Sequence, residues 1–275
     1  MDPISPAIPF ASPKLESLKG LWRRSLIIWP DGSRDVTTQV RWLQGRRAYI
    51  DLRQPAVLPD FSNKHGLADM SMDDCAVLGR QEGFAGYFTF DGSHFEWERH
   101  IDFQSKPLYS DVGSLWWEGN ILIERGRDVD YIEHWHRDDS SALATAAVVA
   151  AITLRQMHGN IKASLLRVGS AFMYARERSV VPPAHKTLPE CIAEASSLED
   201  AQALIDCEIS FGTVSAAGLQ ITASSLPYRI GDVLNPRYSG SRLTTLDRSG
   251  AGAIVTRQWE ITESEGDLNA IATKS

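Results

Sequence analysis

Cysteine is scarce in this 275-residue chain: Cys75, Cys191 and Cys207 are its only three, odd in number and far apart. That spacing excludes a disulfide framework and a closely spaced zinc-thiolate site, and it points to a reduced, cytoplasmic protein. Basic charge is scarce too. Lys and Arg total 28 against 35 Asp and Glu, a net charge of −7, so the basic stripe of a nucleic-acid-binding surface is missing. No apolar run reaches bilayer length. The longest, 142–154, is rich in alanine and broken by Thr145 and Thr153, so no membrane span is expected. The first residues lack the basic and apolar segments of a signal peptide. Gly-x-Gly-x-x-Gly, Walker, His-Glu-x-x-His and Gly-x-Ser-x-Gly motifs are all absent. Nicotinamide and ATP chemistry are therefore not expected, and no cofactor is implied.

What is present reads as a soluble, strand-rich chain, 43% hydrophobic and 23% charged. Four prolines fall within residues 1–14, which read as an extended leader. The rest reads as a duplication. Ser71-Met72-Asp73-Asp74 corresponds to Ser197-Leu198-Glu199-Asp200, and Glu82, Gly86 and Gly92 correspond to Glu208, Gly212 and Gly218 at the same offset. Trp135 corresponds to Trp259. The expected organisation is a first unit over 15–138, a second, degenerate unit over 139–265, and a frayed tail over 266–275.

Each unit alternates polar and apolar residues in short runs, the mark of half-buried antiparallel strands. In the first unit the strands are placed at 21–29, 39–52, 83–90, 93–103, 120–124 and 129–137. In the second they are placed at 148–156, 165–176, 207–214, 219–224, 243–247 and 254–262. Ser71, Thr187 and Ser197 each open a short helix, with an acid three residues on. The fold expected is all-β: two tandem antiparallel barrels or half-barrels with a few short helices, closed because closure removes sticky edges.

The opening strand carries Gly20-Leu21-Trp22, and a late strand carries Tyr131-Ile132-Glu133-His134-Trp135-His136-Arg137. This resembles the calycin superfamily of lipocalins, fatty-acid-binding proteins and nitrobindin-like barrels. The resemblance covers 20–138 loosely and 145–262 more loosely, and it implies that Arg137 packs over Trp22.

Seven of the eight tryptophans, including Trp42, Trp97, Trp116 and Trp135, lie in the first unit. They suit either a pocket for an apolar or aromatic ligand or the filling of a small barrel. Charged residues share strand faces with these aromatics: Arg99 with Phe95, Trp97 and Ile101; Glu133 with Tyr131 and Trp135; Asp51 and Arg53 with Tyr49. Buried charges must be paired, so Arg99–Glu133 and Arg53–Asp51 pairs are expected. Such pairs serve as a structural plug, as an anchor for a ligand's carboxylate, or as a proton-transfer device.

Two functions follow. One is a binding protein for a small hydrophobic or aromatic molecule, held by Trp42, Tyr49, Asp51, Arg53, Trp97, Trp116, Trp135 and His134. The other is a cofactor-independent isomerase, cyclase, hydratase or lyase, with Glu133 as base, Tyr131 as acid and Arg99 holding an oxyanion. A third reading has the acidic strand 94–102 present itself to a protein partner. A homo-oligomer is compatible with all three. His134 and His136 share a face with Ile132, which leaves a pocket or an interface open there, and the wholly polar face of His94, Glu96, Glu98, His100 and Asp102 reads as solvent, so no metal is expected.

Overall fold

The computed structural model describes residues 12–138 and 148–274. The proline-rich leader and the junction between the units fall largely outside these. The described chain forms two antiparallel sheets. The first comprises β1 (Gly20–Ile28), β2 (Arg34–Asp35), β3 (Gln39–Gln44), β4 (Ala48–Gln54), β5 (Glu82–Phe90), β6 (Phe95–Asp102), β7 (Val112–Glu118), β8 (Ile121–Gly126) and β9 (Ile132–Arg137). β1 pairs with both β3 and β9, so eight strands close into a barrel, with the short β2 appended to β1.

The second sheet comprises β10 (Val149–Gln156), β11 (Lys162–Val168), β12 (Ala171–Arg176), β13 (Glu208–Ser215), β14 (Gly218–Ser224), β15 (Arg237–Ser239), β16 (Arg242–Arg248), β17 (Ile254–Glu265) and β18 (Thr273–Lys274). It repeats the strand order of the first, with β10–β17 in place of β1–β9. It is a curled half-barrel: β14 and β15 do not pair, and the segment 231–234 lies along β14 instead, through a bridge from Gln220 to Val233 and backbone hydrogen bonds such as Ile221 N–H to the Asp232 carbonyl and Leu234 N–H to the Leu219 carbonyl. The same seam is the weak point of the first barrel. There β6 and β7 share two residue pairs, Phe95–Gly113 and Glu96–Val112.

The helices begin where the caps predict. Ser71 opens α1 (Met72–Leu78), Thr187 opens α2 (Leu188–Ala193) and Ser197 opens α3 (Leu198–Ile205). In the first two, the cap side chain accepts from the third residue's N–H, and that residue's carboxylate accepts in return.

Several boundaries differ from those read in the sequence. The run 39–52 is two strands, folded back through Gly45, whose N–H donates to the Ala48 carbonyl. The run 165–176 is likewise a hairpin, turned at Gly169 with φ +61°. β7 had no counterpart in the sequence reading. Residues 266–274, expected to fray, bury Ile271 and Ala272 and add β18 in parallel to β15.

The two sheets pack outer face to outer face. Leu43, Ile50 and Leu52 of the barrel share one core with Leu166, Met173 and Ile209 of the second sheet, and all three helices join it. The barrel interior is a separate core of Trp22, Trp42, Phe88, Phe95, Trp97 and Trp135. A bulge in β6 divides the two. Gly86 pairs with Arg99 and Ala85 with Ile101, leaving His100 as the extra residue. Phe95 and Trp97 therefore point inward, whereas Ile101 and Phe103 point into the core between the sheets. The single face that alternation drew through 95–103 is thus split.

Gly86 makes this bulge possible, because a Cβ there would overlap the Glu98 carbonyl. Gly86→Ala is expected to lower stability by about 2 kcal/mol, as overpacking does. Urea unfolding of the variant beside the wild type checks this.

Candidate functional site

The barrel interior has an aromatic end and a charged end. At the aromatic end, Trp42 lies 5.7 Å from Trp22, 5.8 Å from Trp97 and 5.4 Å from Trp135, centroid to centroid. These rings fill that end. The Trp42 indole N–H donates to Gln44 Oε1 at 3.0 Å. The Trp22 indole donates to the Leu18 carbonyl at 2.7 Å, so the short turn at Leu15–Leu18 closes the barrel mouth. The Arg137 guanidinium stacks over Trp22 at 4.7 Å, as the Gly-x-Trp resemblance implied.

At the charged end, alternation along five strands, β1, β4, β6, β8 and β9, brings ionisable side chains inside. Glu133 accepts from Arg24 at 2.6 Å and from Arg53 at 3.4 Å, and Arg53 also pairs with Asp51 at 3.0 Å. Trp135 donates to Glu124 Oε2 at 3.0 Å, which ties the aromatic end to the charged one. The Tyr131 hydroxyl sits between two carboxylates, 2.7 Å from Glu124 Oε1 and 3.2 Å from Asp111 Oδ1. Asp111 in turn accepts from Arg99 at 2.5 Å, and Arg99 also pairs with Asp102 at 3.1 Å. Tyr49 is fully buried beside Phe84, and its hydroxyl donates to the Glu98 carbonyl at 3.3 Å.

Three guanidiniums, Arg24, Arg53 and Arg99, thus face six carboxylates: Asp51, Asp102, Asp111, Glu124, Glu133 and, at 3.3 Å from Arg24, the less buried Asp35. Burial opposes ionisation of several of these acids. Burial, with Glu133 and Asp111 close by, holds the Glu124 carboxyl well above the usual range. Burial also raises Asp51 to about 6 despite the pull of Arg53, and raises Asp102 despite Arg99. The Tyr131 phenol is pushed up by burial and by Glu124. The Tyr131 hydroxyl donates to Glu124 Oε1 and also lies within reach of Asp111 Oδ1. Tyr131 therefore makes a chain from the buried Glu124 outward to Asp111.

Asp111 and Arg99 stand where this chain meets solvent, at the β6–β7 seam. Arg99 lies 3.6 Å over the face of Phe84, and its Nε is buried with no hydrogen-bond partner among the described residues. The loop 103–111 crosses the seam and leaves a cleft on each side, of about 580 Å³ and about 260 Å³. Arg99, Tyr109 and Asp111 line both; Trp97 lines the larger and Tyr131 the smaller. The second unit anchors the foot of this loop. Arg178 donates to the Phe103 carbonyl and stacks on its ring, and Gln104 accepts from the Leu188 N–H at 3.2 Å.

The structure therefore gathers Asp51, Arg53 and Glu133 into one cluster and Arg99, Tyr131 and Trp135 into another beside it, both at the charged end, with Tyr49 and Trp97 close by. The expected Arg53–Asp51 pair forms. Arg99 and Glu133 do not pair, because each has nearer partners. Trp116 lies on the outer side of β7, where its indole donates to Glu118 at 2.9 Å, and Trp117 is the one that turns inward. His134 is on the outer side of β9, beside His136, which contacts Ser25 Oγ at 2.9 Å. Sequence reasoning missed Arg24, Glu124 and Asp111. Glu124 shares parity with the buried Leu122, which was a usable signal; Asp111 lies in a loop and carried none.

No family model matches the chain, and a search of curated proteins returned no match. A solved structure, that of the uncharacterized protein YLR301w from Saccharomyces cerevisiae, is similar, with a TM-score of 0.49 and 12% identity over 90% of this chain and 98% of that one.

Folded Asp51 keeps its proton up to about pH 6, whereas the ordinary carboxyl value is 3.8. Between these limits the folded state binds more protons than the unfolded state, so this group's contribution to stability falls as pH rises and levels off above about 6. Unfolding free energies of wild type and Asp51→Asn are expected to diverge across this window. The wild type loses up to about 3 kcal/mol relative to the variant. A constant difference from about pH 4 to about pH 7 would show that Arg53 keeps Asp51 ionised throughout.

Proposed function

We propose that the first barrel binds a small aromatic or apolar molecule bearing an anionic group, taken at the β6–β7 seam. The carrying observation is Arg99: a guanidinium laid on the Phe84 ring, in the wall of two clefts, with a buried donor left unpaired. An unpaired buried donor costs about 1–3 kcal/mol, and a guest's oxygen relieves it. Trp97 and Tyr109 supply the apolar wall. The seam, two residue pairs long, is the part of the barrel that opens most readily. Arg137 stacked on Trp22 supports a calycin-like barrel, an architecture suited to holding one small ligand.

The test is titration with anilinonaphthalene sulfonate, an aromatic anion, read by quenching of tryptophan fluorescence. Saturable binding that weakens about tenfold in Arg99→Gln is expected, the size of one lost charge-assisted contact. Binding that is non-saturable, or equal in the variant, rejects the reading.

A second reading rests on the Glu124–Tyr131–Asp111 chain. A buried neutral acid wired to a carboxylate beside a cleft fits acid–base chemistry on a hydrophobic substrate, with Arg99 holding the developing oxyanion and Glu133 fixing the electrostatics around Glu124. Infrared spectra at neutral pH are then expected to contain a protonated-carboxyl band that disappears in Glu124→Gln. A spectrum without that band removes the acid and with it this reading.

A further inference from the structure

We propose that the groove between the two sheets, remote from the seam, is a second ligand site that takes a small organic anion, a carboxylate or phosphate on a flat apolar body, with Arg41 as its anchor. The groove holds about 620 Å³, within the range of small-molecule sites, and lies at the junction of two units where such sites concentrate. It is walled by β3 and β4 of the barrel, by the loop 58–65, and by β14 and Tyr228 of the second unit.

Arg41 is part-buried and stands apart from Arg24, Arg53, Arg99, Arg176 and Arg229, which each face a carboxylate. The buried Arg178 has no carboxylate partner among the described residues either, but it donates to the backbone carbonyls of Asp102 and Phe103. Arg41 makes no ion pair among the described residues. Its guanidinium donates to two neutral amides, Gln39 Oε1 at 3.1 Å and Gln54 Oε1 at 3.5 Å, and rests 5.6 Å from the Phe211 ring. Burial and the nearby Arg23 depress its pKa, so its positive charge lacks compensation. A part-buried charge calls for a partner, and the groove is where one fits.

The surrounding field has the right sign. Lys64 and Arg248 also line the groove, against a single acid, Asp60. Asp60 is committed to the Ser62 N–H at 2.9 Å and the Ser62 hydroxyl at 3.0 Å. The counter-ions of Lys64 and Arg248, Asp74 and Asp232, lie outside the lining. Arg41 is pre-positioned by a fixed floor: Gln54 donates to Gln81 at 2.8 Å and to the Ser224 carbonyl at 3.1 Å, a buried amide bridge between the sheets. Phe61, Tyr228 and the half-exposed Ile230 supply apolar and aromatic surface for a ring. The rim is held by a close backbone approach. The Ala68 N–H donates to the Gly250 carbonyl at 2.8 Å, and a Cβ on Gly66 would overlap Gly250 and Gly252.

The experiment is calorimetric titration of the full chain at low ionic strength with phenyl phosphate, benzoate and inorganic phosphate. At least one of the two aromatic anions is expected to bind saturably, and more tightly than inorganic phosphate. The preference between phenyl phosphate and benzoate names the head group. Arg41→Gln is expected to weaken that binding about tenfold, and Arg99→Gln at the seam to leave it unchanged. Ile230→Glu, at an exposed position, places a negative charge on the rim and is expected to weaken binding about threefold; it serves where Arg41→Gln does not fold. Absence of saturable binding by both aromatic anions overturns the proposal. So does binding that neither groove variant weakens, or that Arg99→Gln weakens instead. Loss of the sulfonate dye in Arg99→Gln bears only on the seam.

Discussion

The architecture depends on the burial of the outer face of each sheet against the other. Leu43, Ile50 and Leu52 on one side, and Leu166, Met173 and Ile209 on the other, are all closed to solvent. At about 1.5–3 kcal/mol for each buried aliphatic side chain, six contribute on the order of 10 kcal/mol, as much as the net stability of a whole domain. Two glycines set the spacing: a Cβ on Gly45 would fall 2.8 Å from Leu166, and one on Gly83 would fall 3.1 Å from Ile209. The helices extend the same core, with Ile192 of α2 lying where a side chain on Gly79 would be. Everything else described here, from the anchored loop over the seam to the groove floored by Gln54 and Gln81, is assembled across this contact.

That contact also explains which parts of the structure were legible in the sequence. Strands with one wet face, such as β1, β16 and β17, alternate and were found. β4 and β12 are buried on both faces over nearly their whole length, so their alternation is lost. Each merged with its neighbour into one overlong run. The His100 bulge hid the third boundary, because a period-two pattern cannot register one extra residue. Of the charged network, the residues with clear parity, Arg99, Glu133, Asp51 and Arg53, were identified. The Arg53–Asp51 pair was identified as well, but the partners of Glu133 and Arg99 were not, because the pairing of Glu133 with Arg24 and of Arg99 with Asp111 depends on barrel closure and loop placement. The aromatics were weighed as lining or filling, and one-dimensional spacing does not distinguish the two.

The second sheet carries a charged cluster of its own, which gives the first a reference. Arg229 pairs with Glu208 at 3.1 Å and with Asp232 at 2.7 Å, and Arg176 pairs with Asp206 at 2.7 Å. Burial opposes ionisation of Asp247, yet Arg176, Arg229 and Arg257 together hold its carboxyl below the usual range. With Arg248 on Asp232 at 2.6 Å, four arginines meet four acids, and this is what a structural plug requires. The first barrel departs from that balance, with acids in surplus and a carboxyl raised by burial. Two sheets of one strand order therefore differ in their ionic interiors as well as in closure.

Each sheet is sealed by strands far apart in the chain. The contact between Arg24 of β1 and Glu133 of β9 spans 109 residues, and so does that between Thr153 of β10 and Thr262 of β17. Neither sheet gains its closing ladder until its last long strand has found its first, and the loop-closure entropy falls due before that reward arrives. Folding is consequently governed by non-local pairing, in the slow, millisecond-to-second regime of such topologies. Until closure, open strand edges stay available to neighbouring chains. For this protein the vulnerable interval is the search that precedes the native state, which makes its yield a matter of chain concentration during folding.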